Sequence, residues 1–278
     1  MILPRPSDAF TWIDTAYGPA LVCRPLAPFA HHVFTSRSGP LGVVPDPDSA
    51  GGWDEVARAV GADASRLLRA RQPHGAAFVA HHAGQPMAPH ADADIFISGE
   101  TRVAAAVQSA DCVPLLIADT RTHVVAAAHA GWRGLAQRVP MVTVEAMEAE
   151  FGSRASKLVA AVGPSIGPCC YEVGGDVRDR FAASGFSSWD LTRWFIRTAH
   201  SLPNNPSLPG LTAGARDGRW LFYLWTATRD QLRGAGVRED RIFVAELCTA
   251  SHPEVFCSYR RDGGAAGRMA AAIRRLGG

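Results

Sequence analysis

The chain has 278 residues, of which 47% are hydrophobic and 19% charged, a composition that allows a sizeable buried core and differs from that of a disordered protein. The formal net charge is +2, with 28 basic against 26 acidic residues, and without a dense basic run this gives no support for a nucleic-acid or membrane partner. No apolar run reaches the roughly 18 residues of a membrane span.

The first residues lack the charged and apolar regions of a secretory signal. We therefore expect a cytoplasmic protein whose six cysteines are reduced.

The first half of the chain is dominated by short predicted strands. We expect a strand and a turn over 31–39, and a helix over 51–61. Six apolar runs bounded by turn residues then predict strands: LLRARQ (67–72), AAFVAHH (76–82), DIFISG (94–99), VAAAVQ (103–108), VPLLIAD (113–119) and HVVAAAHAG (123–131). Several are almost continuously apolar, which is typical of strands buried on both faces.

A helical pattern follows these strands. Leu135, Val139, Val142 and Ala146 recur at helical spacing, and Pro140 either kinks this helix or marks its true start. Further along we expect a strand at 157–163, a Pro- and Gly-rich loop at 200–215, a helix at 220–233 and a strand at 242–246.

The last segment, VFCSYRRDGGAAGRMAAAIRRL, predicts a strand, a Gly-rich turn and a C-terminal helix with Arg in its last turns. Helices and strands mix along the chain without a regular βαβ alternation. The sequence therefore predicts the α+β class, as a single mixed α/β domain over residues 1–278.

Three short segments place a His or Cys at the end of an apolar strand, where a scaffold exposes reactive groups. They are RQPHG (71–75), SADC (109–112) and AHAGWRG (128–134). One thiolate with two imidazoles is a good set of zinc ligands that leaves a fourth position open. The same three side chains could instead form a Cys nucleophile with a His base. Their spacing alone does not establish that they meet in space.

Two other segments have plainer interpretations. GPSIGPCCYEVG (163–174) could be a structural turn that shapes a pocket wall, or its two adjacent cysteines could be metal ligands. The structural turn is the favoured interpretation, because no His lies near the two cysteines in the sequence. Arg260–Arg261, followed by Asp262, Gly263 and Gly264, could bind an anion through backbone amides and guanidinium groups. Taken alone, this segment is more typical of a solvated hairpin tip.

Taken in order, the motifs RQPHG, SADCVPLLIAD, AAAHAGWRG, AVGPSIGPCCYEVG and SYRRDGGAAGR resemble the family named multicopper polyphenol oxidases or laccase-domain proteins, now largely described as purine nucleoside phosphorylases. The resemblance runs from about residue 35 to the C-terminus. The chain differs at Pro73, where the family usually has Val, and at Ser109, where it usually has Thr. No metal ligand is lost.

The resemblance implies a fold like that of the cytotoxic necrotizing factor catalytic domain, and one zinc ion held by His74, Cys112 and His129, with copper as the other candidate metal. It implies phosphorolysis of adenosine, inosine, guanosine and methylthioadenosine, and deamination of adenosine. The candidate catalytic residues are His74, Cys112, His129 and Asp111. Asp111 could orient a ligand His or cap a turn.

Phosphate needs cationic partners, and Arg is suited to bidentate contacts. Arg37 and Arg133 are the candidate substrate-binding residues because each lies in or beside a family motif. Two other enzyme classes stay open: a Cys112–His129 hydrolase that edits peptidoglycan precursors, and a copper-dependent polyphenol oxidase, or laccase. Laccase chemistry needs many His ligands, and the chain has no His-x-His pair. A third alternative is that the chain is a binding module without enzymatic activity.

Overall fold

The protein was analysed as a computed structural model, which describes residues 2–42, 50–87, 91–198, 204–212 and 214–277. The strands are β1 (Phe10–Thr15), β2 (Gly18–Cys23), β3 (Ala30–Thr35), β4 (Leu67–Leu68), β5 (Phe78–His81), β6 (Ile95–Ser98), β7 (Ala104–Ser109), β8 (Val113–Asp119), β9 (Val125–Ala130), β10 (Leu158–Val162), β11 (Glu172–Gly174), β12 (Phe195–Ile196), β13 (Arg219–Phe222), β14 (Ile242–Val244) and β15 (Met269–Arg275). The α-helices are α1 (Ala50–Ala59), α2 (Trp132–Ala136), α3 (Val139–Phe151), α4 (Gly175–Ala183), α5 (Ser188–Trp194), α6 (Leu224–Gly234) and α7 (Tyr259–Asp262).

These elements form a mixed α/β fold with several sheets. The first sheet has the order β1-β2-β3-β15-β7-β4, and the second has the order β14-β10-β8-β9-β6-β5. A small third sheet has the order β11-β13-β12. Both large sheets are mainly antiparallel, with parallel pairs at β4–β7, β5–β6 and β10–β14.

The two large sheets pack face to face. One apolar cluster contains Leu21 and Phe34 from the first sheet together with Phe96 and Leu116 from the second. The outer face of the first sheet packs on α1, and the outer face of the second packs on α3 and α6. The layers are therefore helix, sheet, sheet and helix, and the central strands are buried on both faces.

This layering explains the continuous apolar runs. Every residue of β8, β9 and β10 is buried, because one face of each strand meets the first sheet and the other meets helices. The strand predictions at 31–39, 76–82, 94–99, 103–108, 113–119, 123–131, 157–163 and 242–246 are confirmed to within a few residues. The run at 67–72 is a strand only at β4.

The predicted helices are confirmed in part. The helix expected over 51–61 is α1. The pattern around Pro140 consists of two helices, and Pro140 lies in the first turn of α3 and so marks its start. The prediction of a helix over 220–233 is wrong at its beginning, where β13 pairs with β11 and β12 and the helix α6 begins only at Leu224.

The prediction for the C-terminal segment is wrong. Tyr259–Asp262 forms the short helix α7, and the expected C-terminal helix is the strand β15, which lies between β3 and β7 in the first sheet. Ala270 and Ala272 face the α1 cluster, whereas Ala271 and Ile273 face the inter-sheet cluster. Both faces of this strand are therefore buried, and the tertiary pairing overrides the helix propensity of its alanines.

The loop predicted over 200–215 is only partly described. Residues 204–212 form turns and irregular structure, as their Pro and Gly content predicts, and residues 199–203 and 213 lie outside the described residues. Among the helices that the structure describes, none is long and apolar enough to cross a membrane.

Candidate active site

Three segments converge at one end of the sheet sandwich. Cys112 lies in the turn that carries the chain from β7 in the first sheet to β8 in the second, and His129 is the next-to-last residue of β9. The register of β8 and β9 pairs Val113 with Ala130, which brings these two strand ends together. His74 comes from the irregular segment that precedes β5.

The candidate ligand atoms of His74, Cys112 and His129 all lie within 4.8 Å of one another. The two imidazole rings stand edge to face, with centroids 4.9 Å apart. His74 is exposed, Cys112 is half-buried and His129 is buried. The cluster therefore opens to solvent on the side of His74. The structure brings together the three residues that the motifs single out.

The imidazole of His129 is oriented by Asp94, a fully buried residue next to the start of β6. The Nδ1 atom of His129 lies 2.8 Å from Oδ1 of Asp94. The same carboxylate accepts hydrogen bonds from the backbone amides of His74, at 3.2 Å, and Gly75, at 2.7 Å. Because Nδ1 is engaged by the carboxylate, Nε2 is the nitrogen left for a metal or a substrate.

Gly131 leaves room for the thiol. A Cβ atom at this position would lie 2.7 Å from Sγ of Cys112 and 3.2 Å from Cδ2 of His74. Gly131 also precedes α2, so the chain turns away from the sheet directly beside the sulfur. The GWRG part of the motif is thus explained in part by the space that the Cys112 side chain needs.

The electrostatics of the cluster favour an ion pair. Burial raises the pKa of the Cys112 thiol, but the charge of His129 and hydrogen bonds with His129 and His74 outweigh it and lower this pKa to about 6. Burial lowers the pKa of His129, but the Cys112 thiolate and the Asp94 carboxylate raise it to about 9. A thiolate beside imidazole is suited to bind a metal ion or to act as a nucleophile.

The cluster opens into a cavity of about 550 Å³. Its wall carries three aromatic side chains, from Trp132, Tyr171 and Tyr259, besides polar groups from both large sheets. Four arginines also line it: Arg71, Arg133, Arg260 and Arg268. A cavity of this size with aromatic and cationic walls suits a planar, anion-bearing small molecule.

The two arginines proposed from the sequence have different positions. Arg133 lines the cavity, with its guanidinium carbon 4.4 Å from the centroid of the Trp132 ring. Arg37 does not belong to the cavity wall. Its guanidinium donates to the carbonyl of Pro253 at 3.0 Å and lies 3.8 Å from the carboxylate of Asp262. Arg37 therefore stabilises the segment around α7 rather than facing the cluster.

Asp111 lies in the cavity wall beside Cys112, in a left-handed backbone conformation with φ of 94°. Its carboxylate accepts hydrogen bonds from the hydroxyl of Thr249, at 2.5 Å, and from the backbone amide of Arg260, at 2.6 Å. These contacts tie the start of α7 to the β7–β8 turn. Among the hydrogen bonds of the described residues, the one that orients a ligand His comes from Asp94 instead of Asp111.

Sequence reasoning missed Asp94, Tyr259 and the arginines Arg71 and Arg268. The sequence offers only a weak signal for Asp94. It is a single acidic residue at the beginning of an apolar run, and such a residue is as typical of a turn as of a metal or catalytic site. Arg260 was noted in the sequence as a possible anion ligand, and it does reach the cavity wall, where its guanidinium donates to the carbonyl of Glu172 at 2.6 Å.

The fold and the His–Cys–His cluster define a class of mixed α/β protein that carries a candidate metal centre at the end of two packed sheets. The chain belongs to the family described as multi-copper polyphenol oxidoreductase laccase, whose model matches residues 50–276.

Relatives and solved structures extend this similarity over nearly the whole chain. A purine nucleoside phosphorylase of Deinococcus radiodurans is 35% identical over 254 residues, which are 87% of this chain and 88% of that protein. The crystal structure of YlmD from Geobacillus stearothermophilus matches with a TM-score of 0.73 at 27% identity, over 96% of this chain and 99% of that one. A Bacillus licheniformis hypothetical protein, YfiH, shares the fold with a TM-score of 0.76 at 23% identity, over 95% and 98% of the two chains.

Proposed function

We propose that this chain is a zinc-dependent purine nucleoside phosphorylase that cleaves adenosine, inosine, guanosine or methylthioadenosine with phosphate. The observation that carries the proposal is the cluster of His74, Cys112 and His129 at the base of a cavity with aromatic and cationic walls. The name of the Deinococcus relative, at 35% identity, supports the same reaction.

The residues of the cluster fit a zinc ion. Two imidazoles and one thiolate are typical zinc donors, and three protein ligands leave a position open. Asp94 holds His129 in one tautomer, and Gly131 keeps the space beside the sulfur free. When bound, the metal supplies Lewis acidity close to the substrate.

The cavity residues would then bind and orient the two substrates. The arginines of the wall, Arg133 and Arg260 among them, are suited to bind phosphate, and the rings of Trp132, Tyr171 and Tyr259 offer apolar faces to a purine. A phosphate oxygen forms a bond to C1′ while the bond between C1′ and the purine nitrogen breaks. The leaving base takes the electron pair and is stabilised by protonation or by a nearby positive charge.

Adenosine deamination is a second reaction proposed for the same site: water takes the place of phosphate, its oxygen forms a bond to C6 of the purine, and the bond from C6 to the amino nitrogen breaks as ammonia leaves with a proton from the water. Asp111 stays a candidate for the catalytic machinery, because it lies beside Cys112 in the cavity wall. We assign Arg37 a structural role, since its contacts are with Asp262 and Pro253. The proposed location of the enzyme is the cytoplasm.

The competing enzyme classes use the same residues. A Cys112–His129 hydrolase of peptidoglycan precursors is supported by the proximity of thiol and imidazole. Copper-dependent polyphenol oxidation is suggested by the description of the family. In the described part of the chain, however, the two candidate ligand groups contain only two histidines between them, which disfavours a centre with several copper ions.

Product analysis tests the proposal. Zinc-loaded protein is incubated with adenosine, with and without phosphate, and the products are separated by chromatography. Release of adenine that depends on phosphate and is lost in Cys112→Ala supports phosphorolysis, and inosine formed without phosphate supports deamination. Cys23→Ala, which removes a buried thiol outside the site, is the matched control and should keep its activity. No product in either condition would reject the nucleoside proposal for adenosine and favour the hydrolase.

We also propose that residues 1–278 form one domain of the cytotoxic necrotizing factor catalytic-domain type. A single cooperative unfolding transition observed with two independent probes is the expected result.

A further inference from the structure

A second group of sulfur atoms lies away from the active-site cluster. Cys169, Cys170 and Cys248 are almost completely buried, with exposed fractions of 1%, 0% and 0%. Their sulfur atoms all lie within 4.8 Å of one another. Cys169 and Cys170 lie in the segment before β11, whereas Cys248 lies after β14, so the fold brings the third thiol to the pair from a distant part of the sequence.

The backbone around these thiols is held in place. Ser165 and Cys248 form an isolated parallel bridge, in which Ser165 donates to Leu247 and Thr249 donates back to Ser165, both at 3.2 Å. The amide of Gly167 donates to Sγ of Cys248 at 3.1 Å. The two segments are therefore joined before any ligand binds, which reduces the entropy cost of binding one.

We propose that Cys169, Cys170 and Cys248 form a second metal site, for a thiophilic divalent ion of the zinc class. The three thiols supply three soft ligands of the kind such ions select. The hydroxyl of Ser251 lies 3.5 Å from the sulfurs of both Cys169 and Cys170 and offers an oxygen for the fourth position. The Gly167 amide compensates part of the negative charge of three thiolates around a divalent ion.

A metal ion explains this group better than a disulfide does. Adjacent cysteines such as Cys169 and Cys170 do not bridge without strain, and a disulfide from Cys248 to either of them would leave the third sulfur buried without a bond.

The proposed site would brace the wall of the active-site cavity. Cys170 immediately precedes Tyr171, which lines that cavity. Cys248 immediately precedes Thr249, whose hydroxyl donates to Asp111 at 2.5 Å. An ion bound to the three sulfurs would hold both parts of the wall at once. Its role is structural, and it does not depend on the proposed nucleoside chemistry.

Cadmium binding tests the site. Metal-free Cys112→Ala protein, which lacks the thiol of the active-site cluster, is titrated with Cd²⁺ under reducing conditions, and the ultraviolet charge-transfer band from thiolate to cadmium is recorded. We expect one Cd²⁺ per chain with this band. The band should be lost in Cys112→Ala/Cys248→Ser and kept in Cys112→Ala/Cys23→Ser, where the removed thiol is equally buried but outside the group.

Absence of the band in Cys112→Ala, or a band unchanged by Cys248→Ser, would overturn the proposal. X-ray absorption at the cadmium edge of the Cys112→Ala protein avoids any folding defect of the Cys248 variant. Three sulfur ligands per ion are expected there, and two or fewer would reject the site. Loss of two titratable thiols in the unreduced, denatured Cys112→Ala protein would show a disulfide and reject it as well.

Discussion

At the scale of single residues, Asp94 links the parts of the candidate active site. Its carboxylate contacts Nδ1 of His129 and accepts from the backbone amides of His74 and Gly75. The orientation of one candidate ligand, His129, and the path of the segment that carries another, His74, thus depend on one buried side chain. A carboxylate that accepts a hydrogen bond from a metal-binding His fixes the tautomer and the orientation of its ring.

We predict that Asp94→Asn weakens metal binding by roughly 10–100-fold. The amide keeps the shape of the carboxylate but removes its charge and one acceptor, so His129 loses its fixed tautomer. Affinity is measured by competition with a chromophoric chelator.

The matched control is Asp119→Asn. Asp119 is equally buried and also accepts from backbone amides, those of Arg121 and Thr122, but it contacts no candidate ligand. Both variants should lose stability, whereas only Asp94→Asn should lose metal affinity. Equal affinities of Asp94→Asn and the unchanged protein would show that the carboxylate does not support the site.

The motifs predicted which residues could form the site, but not that these residues meet in space. His74, Cys112 and His129 stand next to turn residues at strand ends, but their separation in the chain does not require them to meet. That they meet depends on the register of β8 and β9 and on the crossing of the chain between two sheets, which no local pattern encodes. Arg37 is a further example of what proximity in the sequence does not predict. It lies beside a motif in the sequence but does not line the cavity.

At the scale of elements, β15 shows how pairing decides secondary structure. The alanine-rich segment before Arg274 favours a helix by local propensity. It is a strand because β3 and β7 pair with it on both sides and because its residues alternate between two buried faces. By contrast, β8 was predictable, since its run of branched and apolar residues between turn signals favours a buried strand.

We predict that Ile273→Ala lowers the free energy of unfolding by about 2–5 kcal/mol. Ile273 lies on the inter-sheet face of β15 and is fully buried, so its truncation leaves a cavity between the two large sheets. Urea unfolding measures the change. Ile2→Ala, at a residue with an exposed fraction of 96%, should change stability by less than about 0.5 kcal/mol. A similarly small change in Ile273→Ala would contradict the packing described for this strand.

At the scale of the whole molecule, stability rests on apolar layers that also bury several thiols. Cys23, at the end of β2, is fully buried. Burial raises the pKa of its thiol from an ordinary value of 9.0 to about 12, against smaller opposing effects of the Leu26 backbone and the Arg24 charge. The folded state therefore keeps a proton that the unfolded state releases in this pH range.

Stability should consequently fall as the pH rises from about 9 to about 12, because the unfolded state binds fewer protons there. The contribution of Cys23 to stability is fully present below pH 9 and is lost at roughly 1.4 kcal/mol per pH unit within the window. Cys23→Ala should show a shallower pH dependence of its unfolding free energy in urea titrations. Val33→Ala, which truncates another buried residue without an ionisable group, should be destabilised equally at every pH. Parallel pH profiles for Cys23→Ala and the unchanged protein would refute the assignment.

The contact between Asp94 and His129 has a consequence for folding. The backbone of His129 donates to the carbonyl of Asp94 at 2.8 Å, in line with the pairing of Ile95 and Ala128 one position further along β6 and β9. A shift of this pairing by one residue would turn the side chains of one strand to the opposite face and separate the carboxylate from the imidazole. Only correctly paired strands can therefore bring His74, Cys112 and His129 together with Asp94. Metal bound at this cluster in a refolding sample, counted separately from metal at the three buried cysteines, would report the fraction of chains with native β6–β9 register.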